Sequence, residues 1–459
     1  MGIKLKKRIN AVLPSTNKAL RRFLVSLTIL NASSTYQVQA ATTTTTSTTT
    51  TAASATTTAP STTTTATGAA QSSITVDKVQ GDYDLKGISQ TLTDPGGAGT
   101  IKSSSAPTAL TINATVNTDF LGVIDNTING LTLTGSGKFG FAKDQTYTGT
   151  TTINFGAYLQ VSASGTTGSI ASTNVVNNGK ISFTRSNPYT YAGVISGTGT
   201  LHQYKLNTLT LTGANTSTGA TTIDAGGTLI GDISKSVGVE INGTYDLNGT
   251  ARTLINPSGT GTIKSSGTPA ALTITSQNDS TFSGTLVSTL SDLTKNGAGT
   301  LTLSNTTPYA GPVTVSSGTL ALTNSSSLSG TIKLSQNATL AIKALSTTAT
   351  GTTATGTTAT GTTATGTTAT GTTATGTTAT GTTATGTVVI TNPITFGSDA
   401  TGTNPTVTLN VSQPTTFSGA ITCNAPSGTT VTLAITGGYP VTFTGTQTGT
   451  FKIAPSGEN

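Results

Sequence analysis

Val79-Gln80-Gly81-Asp82-Tyr83-Asp84-Leu85 returns as Ile241-Asn242-Gly243-Thr244-Tyr245-Asp246-Leu247, an offset of 162 (241 − 79). At the same offset Gly99-Thr100-Ile101-Lys102-Ser103-Ser104 returns as Gly261-Thr262-Ile263-Lys264-Ser265-Ser266, and Ala109-Leu110-Thr111-Ile112 as Ala271-Leu272-Thr273-Ile274. Tyr147-x-Gly149 then matches Tyr309-x-Gly311, and Gly168-x-Ile170 matches Gly330-x-Ile332. A block at 79–170 repeated at 241–332, written in short segments between glycines, marks a repeat architecture. In such a stack an apolar residue is buried by its equivalents in the coils above and below. Leu85, Ile101, Leu110 and Ile112 are therefore expected to point inward, at the same places as Leu247, Ile263, Leu272 and Ile274.

The segments between the matched stretches alternate with period two, as in Leu131-Thr132-Leu133-Thr134, Leu209-Thr210-Leu211-Thr212 and Leu301-Thr302-Leu303-Ser304. One face of each carries Leu and the other a hydroxyl, the pattern of a half-buried strand. Thr suits strands, the 54 Gly suit turns, and runs of helix formers are missing. The chain reads as all-β.

Gly193-Val194-Ile195-Ser196-Gly197-Thr198-Gly199-Thr200-Leu201 leads, across 202–207, into Thr208-Leu209-Thr210-Leu211-Thr212-Gly213-Ala214-Asn215 and on to Gly226-Gly227-Thr228-Leu229. A second copy runs from Leu293-Thr294-Lys295-Asn296-Gly297-Ala298-Gly299-Thr300-Leu301 through Tyr309-Ala310-Gly311 to Gly318-Thr319-Leu320, and a weaker third spans Leu131 to Leu159. This order of residues resembles the autotransporter-associated β-strand repeat, also called the passenger-associated transport repeat. The copy at 193–229 departs from the pattern at Leu201-His202-Gln203-Tyr204-Lys205-Leu206-Asn207 and at Ser217, where a remodelled coil corner is expected. The resemblance covers roughly half the chain. It implies a right-handed parallel β-helix (β-solenoid), here with disordered Thr-rich segments. At ~4.8 Å between stacked strands and ~20 residues per coil, 74–345 would make a rod of about 65 Å. Members of that family end in a membrane β-barrel. The segment ending Pro455-Ser456-Gly457-Glu458-Asn459 shows no such pattern, so a barrel is expected to be absent.

The formal charge of +7 belongs to the start of the chain. Seven of the 22 basic residues, Lys4, Lys6, Lys7, Arg8, Lys18, Arg21 and Arg22, precede the first acid, Asp77, and the remaining 15 balance 15 acids. Without a clustered basic face, nucleic acid is not an expected partner. The basic leader runs into Phe23-Leu24-Val25-Ser26-Leu27-Thr28-Ile29-Leu30 and then Val38-Gln39-Ala40-Ala41, which reads as a secretory signal peptide over 1–40 cleaved between Ala40 and Ala41. A Thr-rich linker follows over 41–73; its composition cannot offset its ordering entropy. The β-helix occupies 74–345. Eight copies of Thr-Thr-Ala-Thr-Gly at 347–386 read as a spacer within 346–387, because an odd repeat alternates its inward side and offers nothing larger than Ala to bury. The rival reading is additional coils with Thr ladders. A C-terminal β segment takes 388–459.

Little chemistry is visible. His202 is the lone histidine, without a Gly-x-Ser-x-Gly elbow, and is expected as an exposed coil residue. Asp77, Asp82 and Asp84 form the one acidic cluster. Asp82 is replaced by Thr244 in the second block, which favours turn or strand-edge roles over a calcium site. Neither a catalytic, a metal nor a cofactor site is expected, and no small-molecule cofactor. Cys423, the single cysteine, reads as a strand filler able to pair between molecules. What remains is an exported protein, at the cell surface, secreted or periplasmic, with an adhesive or structural role toward a host cell surface or other envelope components. The alternative is a secreted carbohydrate-active β-helix using carboxylates on one face. N-terminal sequencing of the exported protein should begin at or near Ala41. A cytosolic protein retaining Lys4 to Arg22 would overturn the export reading.

Overall fold

The computed structural model describes residues 73–343 and 388–454, apart from positions 77, 205–206, 305–306, 324–327 and 402–404. The leader with Ala40 and Ala41, residues 41–72 of the linker, and the whole of 346–387 lie outside the described residues. The described residues form strands and turns without a helix, and all strand pairs are parallel, stacked as a β-solenoid of about 16 turns. At ~4.8 Å per turn the stack is about 75 Å tall.

The coils run round three faces, although not every coil lays a strand on each. Thr108–Ala114 lies on the first face, Thr118–Phe120 on the second and Val123–Ile124 on the third, and Ile128–Gly135 returns to the first. Like pairs with like between coils: Leu110 with Leu131, Phe120 with Phe141, Ile101 with Ile124. Coil length varies between faces and levels. Ile223 pairs with Ile241, an offset of 18 (241 − 223), and Thr151 with Val175, an offset of 24 (175 − 151). Corners absorb the difference.

The period-two pattern becomes burial. All eight residues expected inward, Leu85, Ile101, Leu110, Ile112, Leu247, Ile263, Leu272 and Ile274, are fully buried. Each aliphatic side chain taken out of water contributes roughly 1.5–3 kcal/mol. Aromatic rings thicken the core locally: Phe120 stacks on Phe139 at 6.2 Å between ring centres, and Phe139 meets Phe141 edge-on at 5.7 Å. Two of the buried tyrosine hydroxyls find partners, as burial demands. Tyr147 shares a hydrogen bond with Thr151 at 2.6 Å, and Tyr245 donates to the Gly231 carbonyl at 2.9 Å. At the corners Gly135 and Gly297, one block apart, have φ of +87° and +82°. A Cβ on Gly135 would lie 2.1 Å from the Ala114 carbonyl oxygen of the coil below. Both the backbone conformation and the close approach require glycine.

The two blocks are built alike over most of their length. Ile101–Ile124, Leu110–Leu131, Phe120–Phe141 and Leu131–Thr151 recur at an offset of 162 as Ile263–Leu286, Leu272–Leu293, Phe282–Leu303 and Leu293–Val313. The equivalence then ends. Leu159 on Phe139 corresponds to Leu320 on Leu301, an offset of 161 (320 − 159), because the turn after Ile153 is one residue longer than that after Val315. The next coil is longer in the first block, where Thr151 pairs with Val175, than in the second, where Val313 pairs with Ile332 at an offset of 19 (332 − 313). Gly168-x-Ile170 and Gly330-x-Ile332 are therefore alike in sequence and not in place. Ile332 lies on the first face, whereas Ile170 follows the Asp144–Ser169 bridge on the third. Stacking rows set register, so a coil of different length carries the same tripeptide to a different face.

The segment 388–454 continues the same stack. Ile332 pairs with Ile394, and Leu340 with Leu409. Neighbouring coils are here offset by 62 in sequence (394 − 332), and the tract between them leaves from one corner. It departs after Thr339–Ile342 on the second face and rejoins at Val388–Ile390 on the third. Cys423 is buried beside Phe396 in the row Leu334–Phe396–Cys423, a small filler; pairing between molecules would require this coil to open. Replacing Ile263 by Asp should cost several kcal/mol, since a charge would enter the core without a partner. Thr262→Asp, on the outward side of the same strand, should cost under about 1 kcal/mol. Urea melts of both variants test this; equally mild effects would sink the inward–outward assignment.

Candidate functional site

The carboxylates singled out in the sequence are held by their own chain. Asp82 pairs with Lys102 at 2.5 Å. Asp84 accepts hydrogen bonds from the backbone N–H groups of Lys86 and Ser104, both at 2.9 Å, and from the Ser104 hydroxyl at 2.5 Å. Led by the hydroxyl, these donors bring its carboxyl down to about 2. Asp246 repeats the arrangement with the N–H groups of Asn248 and Ser266. Burial pushes the Asp246 carboxyl up, but the Ser266 and Asn248 donors and Lys264 outweigh it and leave it below the usual range. Asp94 accepts from the N–H groups of Thr115 and Val116. One block later Asn256 accepts from those of Gln277 and Asn278. An amide does the work of the acid, so the position needs an acceptor rather than a charge. Asp77 lies outside the described residues. No group of three or more His, Cys, Asp or Glu placed to hold a metal ion occurs among the described residues.

His202 is half-buried rather than exposed, because Asp224 in the next coil takes its Nε2 at 2.7 Å and Tyr204 meets the ring edge-on at 5.3 Å. The strand pairing sets Ser182 beside His202, yet Ser182 is fully buried and its hydroxyl bonds the Tyr158 hydroxyl at 2.9 Å. Lys180 lies over the Tyr158 ring at 4.7 Å. Just below, an open cleft of about 410 Å³ crosses three coils at the corner of the first and second faces. Phe155, 94% exposed, stands on one side and Thr198 and Thr200 on the other, with Gly156, Gly179 and Gly199 among its walls. Phe155, Tyr158 and Lys180 line the cleft, and Ser182, His202 and Asp224 lie outside its walls. Sequence reasoning singled out His202 alone. A comparison of turns between the repeat copies would have exposed Phe155, since Ala225 and Ser317 hold its place in the other two.

Residues 131–161, 207–230 and 293–322 match the family model described as the passenger-associated-transport-repeat. The repeats together with the solenoid fit an autotransporter passenger with repeats. Neither a search of curated proteins nor one of solved structures found a match. Among the described residues no helix is long and apolar enough to cross a membrane, which says nothing of a β-barrel.

On the structure the three copies occupy two different corners. In 131–161 and 293–322 the motif's strands alternate between first and second faces. In 207–230 they alternate between third and second. Leu133, Lys295 and Gln203 hold the same inward place before the turn. The Lys295 side chain is buried and donates to the carbonyls of Gly297 at 2.6 Å and Ser317 at 2.9 Å. Gln203, also buried, donates to the Asn207 carbonyl at 3.2 Å and to the Asn207 side chain, while Asn207 itself bonds the carbonyls of Arg185 and Asn187. Gln203 and Asn207 are thus a second way of tying the motif's turn from inside, at a different corner. Burial holds the Lys295 ammonium down to about 8, against the pull of Asp279 and an ordinary value of ~10.4. Between these limits the unfolded chain binds more protons than the folded one, so stability rises with pH across that window. The melting temperature of the protein, compared with that of Lys295→Met, should improve from pH 8 to 10. A difference that stays constant over this range would show that the ammonium is not desolvated.

Proposed function

We propose that the chain is an autotransporter passenger-like surface protein, of a class exported to the cell surface or secreted, a reading supported by its passenger-associated transport repeats and its β-solenoid. We propose that a signal peptide ending at Ala40 directs that export and that the rod has an adhesive or structural role on the outer envelope. Its partners are a host cell surface or other envelope components. The observation that carries this reading is the division of labour in the coils. Apolar rows are consumed inside, the carboxylates of Asp84 and Asp246 are held in turns, and rows of hydroxyls face outward along about 16 turns. Many weak polar contacts in a fixed spacing act together, so that avidity exceeds any single contact. Catalysis is not part of the proposal. A carbohydrate-active β-helix would need paired carboxylates free to act as acid and base.

The test is made on cells producing the full chain. Antibody should label intact cells, external protease should remove the label, and deletion of the gene should reduce attachment to surfaces or disturb the coat. Label confined to the cytosol would overturn the proposal. Release of new reducing ends from a polysaccharide by the purified protein would favour the enzymatic alternative.

A further inference from the structure

We propose that the cleft beside Phe155 binds a carboxylate-bearing sugar, with the sugar ring stacked on Phe155 and its carboxylate on Lys180. This deepens the adhesive reading and rests on it. Three independent observations meet there. First, Phe155 is the most exposed large hydrophobic side chain among the described residues, in a molecule whose other aromatics mostly line the core. It sits in the turn where the sibling repeats have Ala225 and Ser317, so the coil geometry does not ask for it. A bare aromatic face attracts the C–H groups of a sugar ring, because its quadrupole is negative over the ring.

Second, the cleft is shaped by the absence of side chains. Gly179 and Gly199 follow one another up the corner, and a Cβ on Gly179 would lie 2.2 Å from the Ala157 carbonyl oxygen. Side chains cannot fill this strip. A recess of about 410 Å³ remains, within the size range of small-ligand sites. Thr198 and Thr200, both exposed, put hydroxyls on its far wall, and Asn178 adds an amide.

Third, the charge is unspent. Lys102, Lys138, Lys264 and Arg185 each meet an aspartate, but among the described residues Lys180 has no carboxylate partner and lies over the Tyr158 ring. That stacking holds the ammonium at the cleft's edge, and the Tyr158 hydroxyl is itself tied to Ser182. A cation presented on a fixed ring, next to an open aromatic and hydroxyls, matches a ligand with a sugar ring and one anionic group. A carboxylate on such a sugar would complete a charge-assisted hydrogen bond to Lys180.

The experiment uses the full-length mature chain and two pairs of probes. Trigalacturonate is compared with its methyl ester, and sialyllactose with lactose, by titration calorimetry. Binding of either acid, at least tenfold tighter than its neutral counterpart, is the expected result, and the pair that responds distinguishes a plant- or envelope-type uronate from an animal-type sialic acid. Phe155→Ala and Lys180→Gln should each weaken binding about tenfold, the scale of one lost stacking or charge-assisted contact. Both side chains lie on the surface, so melting temperatures should not move, and Lys180→Arg should restore much of the affinity. Failure of both acids to bind, equal binding of the neutral probes, or wild-type affinity in both variants would overturn the proposal. Cells that keep their attachment when Phe155→Ala is introduced would remove the cleft while leaving the adhesive reading in place.

Discussion

Parallel stacking in register is the constraint on which everything else here depends. A coil of this protein has no core of its own; it offers a few apolar side chains that become dry only when equivalent ones lie above and below. Leu110 is covered by Leu131, Ile101 by Ile124, Leu301 by Leu320. A slip of one residue would turn every such row toward water. Register and burial are one requirement, and this is why an alternating Leu-Thr pattern, poor in charge, suffices to specify the fold. The same requirement restricts corners more than faces. Where Gly135 passes above the Ala114 carbonyl the coils approach too closely for any Cβ.

What the sequence made legible follows from this. The duplication and the period-two segments announce stacked coils because both are direct imprints of the rows. All eight inward residues could be named from it. What stayed hidden belongs to the corners, whose lengths obey no period. Gly168-x-Ile170 looked equivalent to Gly330-x-Ile332, but the intervening coils differ in length and bring the two isoleucines to different faces. The departure of the copy at 193–229 was visible in the sequence, but the corner it occupies was not. Lys295 and Gln203 mark two different corners of the triangle, since a strand-turn-strand motif fits any corner whose inner carbonyls find a donor. The candidate site was hidden for a related reason. Phe155, Lys180 and Thr200 lie in three successive coils, and no local window of sequence contains them together.

The acidic residues show how easily a motif misleads in such a chain. Asp82 and Asp84 beside Asp77 resemble a ligand cluster on paper. In the fold, Asp84 ties the next coil's Ser104, and its counterpart Asp246 ties Ser266. Asp94 is exchanged for Asn256 with both backbone N–H bonds kept. A carboxylate that can be swapped for an amide between blocks is reading backbone N–H groups at a turn, a role met wherever coils must bend sharply. The carboxylate of Asp224 is likewise committed, to His202.

A stack bound only by neighbour contacts has a further property that compact domains lack. Stability is close to a sum of coil and interface terms, so an event at one corner is not transmitted far. The step from Ile332 to Ile394 shows it most clearly. Ile394, Thr395 and Phe396 take up pairing with Ile332, Lys333 and Leu334 as though a single ordinary coil lay between, although the whole pentapeptide tract intervenes in sequence. The described strands that flank the Thr-Thr-Ala-Thr-Gly units at 347–386 are Thr339–Ile342 on the second face and Val388–Ile390 on the third. The inward residues on either side, Ile332 and Leu334 before it and Ile394 and Phe396 after it, pair directly with one another. In a globular domain an insertion of that size would have to be accommodated by many elements at once. Here the coils above and below need only meet each other, and a surface rod can vary in sequence at its corners while its spine stays the same.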